Sequence, residues 1–164
     1  MVGECDGMVE MESGTPFAVS KLLPANVTAF RELLSVFGKA FEEVDTYVRK
    51  QPGQKYLQDL LARPEFIALA ASAEGHVIGG LVAYELRKFE QERSEIYIYD
   101  LAVDAAHRRR GVATALIERL KDAAASSGAY VIFVQADIGD EPAIALYTKL
   151  GIREDVLHFD ISPS

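Results

Sequence analysis

Residues 96–128 constrain the fold of this chain more than any other stretch. Residues 96–103 are β-branched and aromatic, the pattern of a strand. Ala113, Leu116, Ile117, Leu120 and Ala124 then recur at helical spacing, and Gly128 offers the stop. The turn joining the two is Arg108-Arg109-Arg110-Gly111-Val112-Ala113. At a helix start the first backbone N–H groups have no intrahelical partner, and the helix dipole favours an anion there. Gly111 lets the backbone approach a ligand, small Ala113 keeps that approach open, and the arginines can neutralise phosphate. A solvated basic turn is the plain alternative.

The rest of the chain alternates similarly. Residues 17–22 read as a strand, and Asn26 as a helix cap. Val27, Phe30, Leu34, Phe37 and Phe41 form an apolar helical face, broken by Gln51-Pro52-Gly53. Tyr56, Leu57, Leu60 and Leu61 mark a short helix before Pro64. Residues 66–71 and 77–86 read as strands turning through Glu74-Gly75, with Gly79-Gly80 marking a bulge or a close backbone approach. Residues 130–135 read as a buried strand. Pro142 opens a helix behind the possible caps Asp140 and Glu141, ending at Gly151, and residues 156–161 can form a last strand. The order β α α β β β α β α β is that of a mixed α/β domain on one central sheet. One domain is expected over residues 16–164, after a flexible leader at 1–15.

Composition narrows the function. The chain has 164 residues, 49% of them hydrophobic, enough for one well-formed core. Its 17 Lys and Arg face 25 Asp and Glu, for a net charge of −8, which argues against nucleic acid as the ligand. No apolar run suits a membrane span, and the acidic N-terminus lacks a signal-peptide pattern. Cys5 is the only cysteine, so no intrachain disulfide forms; a cytoplasmic setting is expected, with no catalytic role for Cys5. Acids concentrate at residues 89–104 and 135–164. One basic turn in an acidic chain suggests two ligands of opposite sign. His76, His107 and His158 lack metal-ligand spacing, and no metal is expected.

Arg108, two residues, Gly111, one residue and Ala113, at the fourth strand-to-helix turn, resemble the signature of the GNAT superfamily of acyl-CoA N-acyltransferases. Pro142-Ala143-Ile144-Ala145-Leu146-Tyr147-Thr148-Lys149-Leu150-Gly151, about 35 residues later, resembles that family's late helix. The segments 89–103, 129–142 and 157–160 resemble the aminoglycoside 3-N-acetyltransferases of the type I group, enzymes of antibiotic resistance. The resemblance covers roughly residues 17–161. It implies a mostly antiparallel sheet splayed between its fourth and fifth strands. It also implies direct acetyl transfer from acetyl-CoA to the 3-amino group of the deoxystreptamine ring in gentamicin-type drugs, without an acyl-enzyme, by a homodimer.

The same resemblance distributes roles. Backbone N–H groups of Arg109, Arg110, Gly111, Val112, Ala113 and Thr114 would hold the pyrophosphate, and Leu101, Ala102 and Val103 would pair with the pantetheine arm as an added strand does. Asp100, a carboxylate interrupting an apolar strand, is the candidate base; Glu95 or an ordered water is the rival, and a structural Asp100 the alternative. Tyr147 stands where the family has the tyrosine that protonates the thiolate; its helical spacing from Ile144 also suits a core residue. Asp137, Asp140 and Glu141 suit a polycationic sugar, and Asp140 and Glu141 suit helix capping equally. Asp45, in the segment where the family builds its acceptor wall, is a further candidate contact. Two other functions remain open: acetylation of polyamines or of another small or protein amine, and a non-catalytic acyl-CoA-binding regulator.

Overall fold

Apolar periodicity and glycine placement account for most of the architecture. The computed structural model describes residues 8–9 and 16–164. The flexible leader expected at 1–15 therefore lies outside the described residues, except that Met8–Val9 pairs antiparallel with Ala18 and Phe17. The chain forms two compact units, one ending at Val134 and the other running Gln135–Ser164.

The first unit is built on one mixed sheet. Its main strands are β1 (Phe17–Lys21), β2 (Phe66–Ala73), β3 (His76–Arg87), β4 (Ser94–Val103) and β5 (Ala129–Val134), and each neighbours the next. β1 to β4 are antiparallel; β4 and β5 are parallel. β5 pairs with β4 only as far as Val134 opposite Ile98, while β4 runs on to Val103. The sheet thus opens between its fourth and fifth strands, as expected for the GNAT fold. β5 is not the buried strand expected: Tyr130, Val131 and Phe133 are 50%, 40% and 37% exposed. Among the described residues it is paired along one edge only, so its apolar run is half covered.

Helices cover both faces. On one, α1 (Val27–Ala40) and α2 (Gln54–Leu61) bury Phe30, Leu33, Phe37, Leu57 and Leu61 against Phe66, Ala68, Ala70, Val82 and Ala102. Each such large side chain contributes roughly 1.5–3 kcal/mol on burial. Strand alternation turns Leu69, Leu81, Ile96 and Ile98 to the other face, which α3 (Val112–Ser127) covers with Leu116 and Leu120. Asn26 does not cap α1 with its side chain; its Oδ1 accepts from Leu23 N at 2.8 Å and closes the preceding turn. Gly80 explains the double glycine of β3: a Cβ there would lie 2.4 Å from the Leu69 carbonyl oxygen and 2.6 Å from a Leu33 methyl. A register shift also falls beside Gly79, so both expected roles of the pair are present.

A second bulge shapes the site. Val82 pairs with Asp100, yet the next residue, Ala83, pairs with Ile98. Tyr99 is the extra residue. Strict alternation would put Tyr97 and Asp100 on opposite faces; the bulge brings both to the α1 and α2 face, opposite Tyr84 and Val82.

In the second unit, α4 (Glu141–Leu150) follows a turn held by Asp140 N donating to the Asp137 carbonyl at 3.1 Å. The strand expected at 156–161 does not form; Val156, Leu157, Phe159 and Ile161 are 69–89% exposed and irregular. A period-2 pattern makes a strand only where an edge pairs with it. No helix among the described residues is long and apolar enough to cross a membrane.

Candidate active site

The basic turn adopts the geometry of an anion cradle. After β4, Asp104 closes a short turn through Ala106 N donating to its Oδ1 at 3.0 Å. Arg108 folds back, its Nε donating to the Val103 carbonyl at 3.1 Å. Arg109 (φ 59°) and Gly111 (φ 77°) both take the left-handed conformation. Together they steer the chain into α3, which buried Val112 anchors. No side chain caps α3. The amides of Val112, Ala113 and Thr114 thus stay open to a ligand, and among the described residues Arg109 and Arg110 form no ion pair with a carboxylate. A pyrophosphate fits this arrangement of open amides, positive dipole and unpaired guanidinium groups. Leu101, Ala102 and Val103 lie on the part of β4 beyond its pairing with β5, though the Val103 carbonyl is already engaged by Arg108.

Asp100 is half-buried on the α1 and α2 face. The Tyr47 hydroxyl donates to its Oδ2 at 2.8 Å. Tyr47 lies on a single wide helical turn, Asp45–Arg49, after α1. Burial pushes the Asp100 carboxyl above its ordinary value, the Tyr47 hydrogen bond opposes this, and nearby Glu43 adds to the rise. Burial, then the bond to Asp100, pushes the Tyr47 phenol far up. Aromatic rings continue along the sheet: Tyr99 lies 6.1 Å from Tyr84 and 5.7 Å from Tyr97, and Tyr97 stacks on Phe133 at 4.8 Å. Tyr99 is 61% exposed. Acids beside aromatic faces suit a cationic ligand, which gains from both charge and ring quadrupole.

The other expected residues are placed as follows. Glu95 is held by Lys88 at 3.4 Å and accepts from the Tyr130 hydroxyl at 3.0 Å. Asp45 is mostly exposed and paired with Arg49 at 2.6 Å. In the second unit, Asp140 caps α4 by accepting from Ala143 N at 3.2 Å, and Glu141 is the first residue of that helix. Asp137 and Glu141 are exposed. Tyr147 is partly buried on α4, its phenol pushed up to about 12 by burial and then by Asp140. Among the described residues no three His, Cys, Asp or Glu side chains are grouped to hold a metal. Sequence reasoning missed Tyr47 and Glu43. Both lie within two residues of Asp45, in the segment after α1, but the wide turn resets the helical phase there.

Residues 29–152 match the acetyltransferase (GNAT) family. An aminoglycoside acetyltransferase from an uncultured soil metagenomic sample is 61% identical, with a TM-score of 0.88 over 90% of this chain and 99% of that one. A second from such a sample, solved in complex with sisomicin, is 29% identical, with a TM-score of 0.83 over 90% and 97%. An uncharacterized N-acetyltransferase of Methanocaldococcus jannaschii is 26% identical over 127 residues, 75% of this chain and 56% of the relative. The chain thus spans little more than half the length of that curated relative. With the family matched over most of its length and the glycine turn built as that family's signature requires, the chain belongs to the acetyltransferase (GNAT) family.

Proposed function

We propose that this chain is an aminoglycoside 3-N-acetyltransferase, active in the cytoplasm as a homodimer on gentamicin-type drugs, with residues 16–164 as one catalytic domain. The observation that carries the acceptor class is the 61% identity, over nine-tenths of the chain, to an aminoglycoside acetyltransferase. The acidic and aromatic face around Asp100 supports it, because an aminoglycoside is a polycation with ring faces to stack. The choice of the 3-amino group rests on the resemblance of segments 89–103 and 129–142.

Acetyl-CoA supplies the acyl group as a thioester. The amides from Arg109 to Thr114 bind its pyrophosphate, and the edge of β4 at Leu101–Val103, beyond its pairing with β5, receives its extended arm. Asp100 takes a proton from the drug's ammonium group, directly or through one water, leaving a nitrogen able to attack the carbonyl carbon. Glu95 suits this less well, being tied to Lys88 and Tyr130. Tyr147, protonated up to about pH 12, supplies a proton to the departing sulfur. Asp137, Asp140, Glu141 and Asp45 attract the remaining ammonium groups of the drug. The test is turnover of acetyl-CoA with gentamicin and with spermidine, with the acetylated position read by NMR. Gentamicin acetylated at the 3-amino group is the expected result. Preferred use of spermidine with no gentamicin turnover would sink the reading, and acetylation elsewhere on the drug would remove its 3-N part.

A further inference from the structure

Asp100 is an unusual carboxylate. The groups facing it are Glu43 and Tyr47 from the segment after α1, Tyr84 from β3, and Tyr97 from its own strand. None of these is a cation. Of them, Tyr47 alone favours the ionised form, through its hydrogen bond to Oδ2. Among the described residues no other hydrogen bond reaches the Asp100 carboxylate.

Tyr47 is itself built into place. Its ring meets Phe37 edge-on at 6.0 Å and Phe41 at 5.7 Å. Gly38 of α1 makes room for the turn that carries it: a Cβ there would lie 3.0 Å from a Val48 methyl and 3.2 Å from the Tyr47 Cβ. The phenol oxygen is therefore aimed by packing, and it bridges 53 residues of sequence to reach β4.

We propose that Tyr47 is a positioning residue for the reaction: it clamps Oδ2 of Asp100, so that Oδ1 is the atom presented to the attacking amine. The proposal rests on the assignment of Asp100 as base. The clamp does two things. It fixes the carboxylate plane, and it keeps in the charged form a group that burial and Glu43 push toward protonation. It also ties the segment after α1 to the reacting strand, so a shift of that segment changes the base itself.

Tyr47→Phe tests this, because phenylalanine keeps the ring contacts and deletes one oxygen. In the variant the acid-side inflection of kcat/KM for gentamicin should move up by about one pH unit. Below that inflection kcat/KM should fall up to about tenfold, recovering as pH is raised, with the KM for acetyl-CoA unchanged. A 13C titration of the Asp100 carboxyl should show the same upward shift. An unmoved titration overturns the proposal, whatever the activity. A moved titration alongside a fully active Asp100→Asn variant retires the base assignment, and with it the catalytic part of the proposal, leaving only the clamp.

Discussion

Arg108 Nε and the Val103 carbonyl, 3.1 Å apart, tie the glycine turn to the end of the strand that carries Asp100. The first arginine of the turn thus acts as a strut through Nε, while its Nη groups make no ion pair with a carboxylate among the described residues. Arg108→Ala should cost about 1 kcal/mol of stability and raise the KM for acetyl-CoA several-fold. Arg108→Lys keeps the charge without the Nε donor, so it should behave like the alanine variant. A lysine variant with wild-type KM would show that charge alone matters there.

Gly111 has φ 77° at the entry to α3. Gly111→Asp puts a Cβ in a left-handed site, at a strain of about 1 kcal/mol, and a negative charge where the pyrophosphate is expected. Acetyl-CoA affinity, measured by calorimetry, should fall by tenfold or more while the fold persists by circular dichroism. Unchanged affinity would remove the cradle assignment.

Tyr147 keeps its proton up to about pH 12, so its hydroxyl remains a donor throughout any ordinary assay. Tyr147→Phe should lower kcat by about tenfold or more with little change in either KM. Equal rates for the two proteins would return Tyr147 to a packing role.

Asp140 accepts the Ala143 amide, and asparagine caps a helix about as well as aspartate. The double variant Asp137→Asn with Asp140→Asn should therefore keep α4 and change only charge. Its KM for gentamicin should rise more than its KM for acetyl-CoA. Equal changes in the two constants would count against a drug-facing loop.

Gly80 has no space for a side chain, with a backbone oxygen 2.4 Å from any Cβ. Gly80→Ala should destabilise the protein by about 2 kcal/mol or more, lowering Tm by roughly 5 °C or more. Melting within a degree of wild type would mean that β3 can move away from β2.

The elements legible in the sequence were those whose signal is local. Of the face read from Ala113, Leu116, Ile117, Leu120 and Ala124 are buried together, with Val112 in place of Ala113 at its start, and Gly128 ends that helix at φ 79°. Asp100 was legible as a charge that interrupts an apolar strand. What depends on distant partners was not. Tyr47 gives no sign of its bond to a strand 53 residues away. Residues 156–161 have the apolar content of a strand, yet pairing is decided by an edge elsewhere. The exposure of Tyr130 and Val131 likewise depends on what lies beside β5, which its own residues do not encode.

The extra residue at Tyr99 splits β4 into two halves of opposite parity. Before it, odd-numbered positions such as Tyr97 face α1 and α2; after it, even-numbered ones such as Asp100 and Ala102 do. A substitution scan along the strand should therefore show tolerance alternating in one phase as far as Ile98 and in the reverse phase from Asp100 onward. Deleting Tyr99 would merge the phases and remove the kink, yet leave Tyr97 and Asp100 on one face, each still opposite its partner on β3; inserting a residue there, not removing one, is what would drive the two halves apart.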